Sequence, residues 1–523
     1  MKKTQTIIFR LLPPLLFITF CMIVLIGIRK EYLEEVAGMT PFYLTSTYGS
    51  QLMSQGLWGI ATWCSSAICA TMTYPLLGAT LLTLLLTLLA LLLQYCLRLK
   101  WSWAPLCYLP SLWLLGNFTC RGYDLYTFKA SGTEFNWLII AIAITAVLAP
   151  FAAWWTKRTR KSSENSKTSK TRQSSKSTQT SKKSPTSKKS PISKTSILYF
   201  VVAFLGMVLM GWYTHHRTFK DENYRNILRM KHAVDKDDWQ QVLDIARQQN
   251  PDLAPTRIQV CYTRLALYKL GLSGESTFSY PDGDAEYAAP TVNQYLRLIA
   301  GPQLYYFLGK PNYAYRWCME DMVEYGLRPQ YLSYMLRSSL LNGEKALAEK
   351  YARQLNAHPF YQIDLEHDYQ TECKAIEPLL EYNNILDGDG GHVEAYLLQN
   401  YATMRGGTRQ MVTLSLDCAL ILKDINDFWP LFIKMLPVWE HENGNKIPRH
   451  YQEAALLFAN LQGNIDLSQV NIDTDIKERF NNLIAEANAN SQYGDEYNAT
   501  RLRPLYGNTY WYYFFFTTGL KTN

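Results

Sequence analysis

Eight histidines and ten cysteines are the residues in this chain best equipped to bind a metal or act as nucleophiles, yet their spacing supports neither role. No H-x-x-x-H pair and no C-x-x-C pair occurs, so neither a zinc site nor a thioredoxin-like redox couple is indicated. The G-x-S-x-G elbow, the phosphate-binding loop and G-x-G-x-x-G are missing as well. Glu366-His367-Asp368 and Glu440-His441-Glu442 read as solvated charge clusters. Asp387–Gly391 is Gly-rich but has no Lys or Ser/Thr in phosphate-loop positions, so it reads as a linker. The remaining candidate is the segment from Asn117 to Glu134, which brings Cys120, Arg121, Asp124, Lys129 and Glu134 to the edge of apolar sequence. Arg121 and Asp124 could form a polar site at a membrane edge, or simply belong to a solvated loop with snorkelling side chains. No catalytic residue, cofactor site or metal site is expected.

The elements that would position such a site lie in two unlike halves. Residues 1–213 are mostly apolar, whereas 214–523 carry 38 acidic and 30 basic residues, a net charge of −8. Between Lys157 and Lys194 stand thirteen Lys/Arg and one acid, Glu164, among Ser, Thr, Gln and Pro. That tract has no apolar surface to bury and is expected to be disordered. The overall charge of +8 is therefore a property of this loop and does not indicate a nucleic-acid surface. Six cysteines fall in the apolar half; among Cys261, Cys318, Cys373 and Cys418 one disulfide is conceivable if that half is periplasmic.

Apolar stretches predict five spans, near 7–28, 75–97, 103–118, 135–155 and 196–213. The segment 57–73 is weaker, with Gly59, Ser65, Ser66 and several Thr, and abuts the next span at Tyr74-Pro75. Basic residues favour the cytoplasmic side. With 57–73 interfacial or re-entrant, Lys2, Lys3, Arg10, Arg98, Lys100 and the basic tract all lie inside, and only Arg29-Lys30 breaks the rule. The N-terminus is then cytoplasmic and residues 214–523 are periplasmic. Only Arg10 sits within a span, so a proton or ion pathway is not expected.

The second half has helical periodicity. Trp239, Val242, Leu243 and Ala246 share one face; Ala314, Trp317, Cys318, Met322 and Tyr325 another; Ala348, Tyr351, Ala352 and Leu355 a third. Each helix follows a polar or Gly turn and precedes Pro251, Pro329 or Pro359. This pattern is similar to the second helix of tetratricopeptide (TPR) repeats, and predicts a TPR-like α-solenoid. Such solenoids bind through a concave face, for which Tyr305, Tyr306, Tyr331 and Tyr334 are the candidates, unless they are core. Seven successive aromatics, Tyr510–Phe516, predict a closing element pinned into the last groove, with a docking patch or membrane contact as the alternatives.

The "YPLLGA" start of the Leu-rich span, "LALYKLGL" (Leu265–Leu272), "LLNGEKALAEKYARQL" (Leu340–Leu355), "IPRHYQEAALL" (Ile447–Leu457) and "GNTYWYYF" (Gly507–Phe514) resemble the motifs of an uncharacterised family of multi-spanning membrane proteins from Bacteroides-type bacteria. The basic tract departs from that family's pattern. The resemblance implies topology and fold and carries no activity. The sequence therefore predicts an all-α protein, a transmembrane helix bundle of about five spans followed by a TPR-like domain. The expected partners are the lipid bilayer and a protein bound by the periplasmic domain, with no nucleic acid and no cofactor. A membrane-embedded transferase or lipid-handling enzyme is the alternative.

Overall fold

A computed structural model describes residues 2–128, 132–172, 194–283, 290–365, 367–382, 391–442, 446–463 and 465–517. Helices make up all the regular structure of these residues, with no strand among them. The chain divides into two compact units, the first residues 1–220 with 358–360, the second residues 221–357 with 361–523.

The first unit contains α1 (Lys2–Met22), continued by a π-helical turn Ile23–Ile28, then α2 (Lys30–Met39), α3 (Ser46–Met53), α4 (Leu57–Ala70), α5 (Pro75–Leu97), α6 (Leu109–Thr119), α7 (Asp124–Thr127), α8 (Asn136–Arg172) and α9 (Lys194–Arg217). Among the described residues four helices are long and apolar enough to cross a membrane: Phe9–Ile28, Pro75–Leu97, Asn136–Trp154 and Lys194–Arg217. With the 3₁₀ turn Thr71–Thr73 that continues it, the 14-residue α4 rises about 27 Å, just short of the roughly 30 Å hydrocarbon layer. The segment expected to span at 103–118 consists of a 3₁₀ helix, Trp101–Tyr108, running into α6. At about 2.0 Å and 1.5 Å per residue the two together rise about 32 Å.

Side-chain contacts fix how these helices run. Along α9, Tyr199 stacks on Trp103 and Phe200 meets Trp101 at its start. Gly206 lies 3.6 Å from Leu106, as an added Cβ would see it. The Thr214 hydroxyl donates to the Leu112 carbonyl at 3.1 Å, and the Phe219 amide donates to the Thr119 carbonyl. The Trp101–Thr119 segment therefore runs parallel to α9 over its length. Phe9 of α1 packs on both Trp101 and Phe200, so α1 starts at that same end. Running the opposite way, α5 and α8 meet near their ends, where Cys96 donates to Thr145 O at 3.2 Å and Arg98 to Ala152 O. Small residues permit the close approach: a Cβ added at Gly116 would stand 3.5 Å from the Thr214 side chain. Helix α8 continues as far as Arg172, into the basic tract, whose residues 173–193 lie outside the described set.

The second unit comprises α10 (Glu222–Asp235), α11 (Trp239–Arg247), α12 (Arg257–Lys269), α13 (Ser273–Ser276), α14 (Pro290–Phe307), α15 (Pro311–Tyr325), α16 (Pro329–Leu341), α17 (Lys345–Asn356), α18 (Gln370–Ile376), α19 (Val393–Ala402), α20 (Arg409–Leu422), α21 (Ile425–Glu442), α22 (Arg449–Gln462), α23 (Thr474–Ala489), α24 (Asp495–Tyr506) and α25 (Tyr510–Phe516). Local chemistry starts many of them. Asp221, Asp238, Thr408 and Thr509 cap α10, α11, α20 and α25 with side-chain oxygens, and Thr256 with Gln259 forms a capping box at α12. Short turns fold successive helices onto each other, α14 on α15, α15 on α16 and α16 on α17, while α10, α12 and α14 also touch. Ala314, Trp317, Cys318, Ala348, Tyr351, Ala352 and Leu355 are all buried, as their helical spacing predicts.

Candidate functional site

At the end of the first unit where α1 stops, Arg29 is 3 % exposed and lies over the Tyr32 ring at 3.7 Å. It donates to the Phe219 carbonyl at 3.3 Å and to the Arg121 carbonyl at 2.5 Å. Those carbonyls follow α9 and α6, where helix ends leave acceptors unsatisfied and attract cations. Arg29, the residue that breaks the charge rule in sequence, is therefore held as a shared cap for two helices. Arg29→Ala is expected to destabilise the purified protein by about 2–4 kcal/mol, because two acceptors lose a charged donor. Arg29→Lys should recover less than half, since one ammonium cannot reproduce the guanidinium fork. Thermal unfolding in detergent checks this, and a fully restored Lys variant would contradict it.

Around Arg29 lie further buried polar groups. The Tyr126 hydroxyl donates to Glu35 Oε1 at 2.9 Å, and Glu35 is 2 % exposed. Phe135 N donates to Ser65 Oγ and Asn136 Nδ2 to Thr62 Oγ1, both at 2.9 Å, joining α4 to the start of α8. Arg121 Nη1 stands 3.8 Å from Glu134 Oε1, and Cys69 Sγ donates to Glu134 Oε2 at 3.6 Å. Burial raises the Glu134 carboxyl above its ordinary value, and Arg121 pulls it part of the way back. Of the two residues expected at a membrane-edge site, Arg121 is thus joined to Glu134, while Asp124 is exposed at the start of the four-residue α7. Sequence reasoning missed Glu35 and Tyr126, although the acid cluster after Arg29-Lys30 was a usable signal.

In the second unit Tyr305, Tyr306, Tyr331 and Tyr334 are at most 2 % exposed. Tyr305 stacks on Tyr313 at 5.2 Å, Tyr306 meets Tyr334 edge-on, Tyr331 Oη accepts from Arg328, and Tyr334 donates to Asp235 Oδ1 at 2.5 Å. These tyrosines are packed between helices as core, not exposed on a surface. Their hydroxyls find buried partners, which lets so polar a core stay packed.

The recessed surface lies elsewhere. A groove of about 970 Å³ runs between the 246–255 loop, the turn at 276–283 and the C-terminal residues 503–517. Its walls include Arg247, Asn250, Tyr280, Arg503, Tyr512 and Phe516. Two features build it. First, Arg257 and Arg264 pair with Glu394 and Asp282 in a buried, charge-balanced quartet that fixes the turn onto α12 and α19. At Gly283 (φ 76°) an added Cβ would stand 2.4 Å from the Pro255 carbonyl, so that turn requires glycine. Second, α25 is pinned from both ends. Glu453, 1 % exposed, accepts from the Tyr510 amide at 2.7 Å and also holds Arg449 and His450. Trp511 Nε1 donates to Glu453 O at 2.7 Å, and Lys423 Nζ caps the helix through the Phe514 and Thr517 carbonyls. The aromatic run thus forms a closing helix, with Tyr510, Trp511 and Tyr513 buried and Phe515 46 % exposed.

Beside the groove, sharing Arg264 and Thr277 with it, lies a smaller recess of about 70 Å³. Leu265, Leu304, Leu397, Leu414 and Ile421 form its apolar walls, and Asp417 stands among them. Tyr451 donates to Asp417 Oδ1 at 2.5 Å. Burial pushes the Asp417 carboxyl up to about 7, against the Ser273 and Tyr451 hydroxyls, which favour its charge. All ten cysteines are free thiols, and among the described residues no group of three His, Cys, Asp or Glu side chains could hold a metal ion.

No curated protein sequence and no solved structure matches this chain significantly. Residues 123–517, which take in Tyr126, Glu134, the groove and the closing helix, match a family described as one of unknown function, DUF6057, and the chain belongs to that family.

Proposed function

We propose that this is a multi-pass inner-membrane protein that presents a TPR-like helical domain to the periplasm as a protein-interaction scaffold. In this reading five segments cross the bilayer. The four long apolar helices are joined by Trp101–Thr119, which is about a bilayer thickness long and pairs with α9 along its length. The starts of α1, of the Trp101 segment and of α9 share one end with Arg98, so the basic loops gather there and the positive-inside rule makes that end cytoplasmic. The second unit follows α9 after three residues and so begins on the opposite side. Helix α4 and Trp58, which meets Trp137 at 5.8 Å, fit the interfacial zone.

The observation that carries the scaffold reading is the groove beside α25. It is formed by residues distant in sequence, is held rigid by two buried polar networks, and has aromatic and arginine side chains on its walls, the residue types that dominate protein interfaces. An extended segment of a partner protein fits its size. The Arg121–Glu134 pair does not favour the transferase or lipid-handling reading, because the groups around it tie α4, α6, α8 and α9 together. A photoreactive amino acid at Tyr280 or Tyr512, in the full chain in native membranes, is expected to crosslink to one protein band. The same probe at Val323, which is 80 % exposed on α15, should not. Equal labelling from both positions, or none from the groove, would sink the proposal.

A further inference from the structure

The groove and the adjoining recess together have a chemistry that neither has alone. Six leucines and Ile421 line the recess, so it suits a narrow hydrocarbon stem. Among the charged residues that line it, Arg264 and Glu394 already pair at 3.1 Å within the balanced quartet. Asp417 is the acid left without a basic partner among the described residues. It is 8 % exposed; the Tyr451 hydroxyl donates to one oxygen, the Ser273 hydroxyl also favours the charged carboxylate, and Oδ2 is buried with no hydrogen-bond donor among the described residues. A buried acceptor left without a donor is costly, and a ligand that brings one recovers that cost. The group that matches a largely apolar recess with one carboxylate lacking a basic partner in its wall is a cation on an alkyl stem.

We infer that the recess takes a lysine-type side chain of a peptide lying in the groove, with the stem against Leu265, Leu304, Leu397 and Leu414 and the ammonium on Asp417. This rests on the scaffold reading and names the kind of segment the scaffold selects. Arg264, at the junction of groove and recess, is neutralised by Asp282 and Glu394 and so does not bar a second cation. An acidic side chain, by contrast, would meet Asp417 with no compensating charge. A norleucine side chain would fill the channel yet leave Oδ2 without a donor.

The test uses the full chain, reconstituted in nanodiscs and immobilised. It is offered a degenerate heptapeptide library with one central position split between lysine, norleucine and glutamate. Lysine is expected to be enriched at least fivefold over norleucine among retained peptides, with glutamate depleted. Asp417→Asn should bring the lysine-to-norleucine ratio to about one. Leu397→Phe, which narrows the recess and keeps the carboxylate, should lower retention of lysine and norleucine alike. Thermal unfolding of each variant confirms that it is folded. Peptides retained without lysine enrichment, or enrichment that survives Asp417→Asn, overturn the inference and leave the scaffold standing. No retention of any peptide overturns both.

Discussion

Replacing Trp511 with alanine is expected to destabilise the second unit by about 3–5 kcal/mol, the usual cost of deleting a fully buried tryptophan. Trp511 is 0 % exposed, meets Phe480 at 5.1 Å, and donates to the carbonyl of Glu453. The loss should spread beyond one side chain. Without its anchor α25 pulls on Tyr510 and Tyr513, which pack on Phe278 at 5.1 and 4.7 Å in the turn across the groove. Trp511→Phe, which keeps most of the volume but not the N–H, should cost about 1–2 kcal/mol. Phe515→Ala, at a half-exposed position of the same helix, should cost under about 1 kcal/mol. Chemical unfolding of the three variants measures the order. A Phe515 variant as damaging as the Trp511 variant would mean that the helix is held by its outer face.

The second large effect depends on pH. The Asp417 carboxyl is pushed from its ordinary 3.8 up to about 7, so folding favours the protonated acid. Its contribution is complete below the unfolded value near 4 and is lost as pH rises through 7. Across that window the group alone can remove up to about 4 kcal/mol of stability. Asp321, pushed up to about 6 by burial despite Arg297, adds a loss of the same sign. Asp417→Asn cannot ionise and still accepts from Tyr451. It is expected to match the parent near pH 3.5 and to melt about 5–10 °C higher at pH 8. Equal melting temperatures at pH 8, or a variant weaker at both pH values, would show that the carboxylate is stabilised by a partner in the folded protein. On the expected outcome the same substitution removes affinity for a basic peptide while raising stability at pH 8, a separation that a purely structural role would not give.

Much of the architecture was legible because it rests on periodicity and charge. The four long apolar helices follow from continuous apolar runs, and the inward faces around Ala314–Tyr325 and Ala348–Leu355 from helical spacing. The short segment proposed as a fifth span was harder. Trp101–Tyr108 gains length through 3₁₀ geometry, which no composition reports, and its evident partner α9 lies about ninety residues on. Arg29 ran against the charge rule because its role is set by two carbonyls brought in from α6 and α9. The tyrosines proposed for a binding face were misplaced for a related reason. Tyrosine carries both a large apolar ring and a hydroxyl, and Asp235 and Arg328, distant or adjacent in sequence, supplied the buried partners that drew the rings inward. The groove is legible only in three dimensions, since α12, α19 and α25 are brought together by pairs such as Arg257–Glu394, 137 residues apart. The aromatic terminus could be foreseen as a closing element, whereas the pinning by Glu453 and Lys423 could not.

The central claim is that the basic loops and the helical second unit lie on opposite sides of the membrane. Alkaline phosphatase, active only outside the cytoplasm, tests it most directly when fused after Lys100 and after Lys220 in otherwise intact chains. The account predicts an inactive enzyme at Lys100 and an active one at Lys220. Activity at Lys100 with none at Lys220 would contradict it, placing the groove and its recess in the cytoplasm.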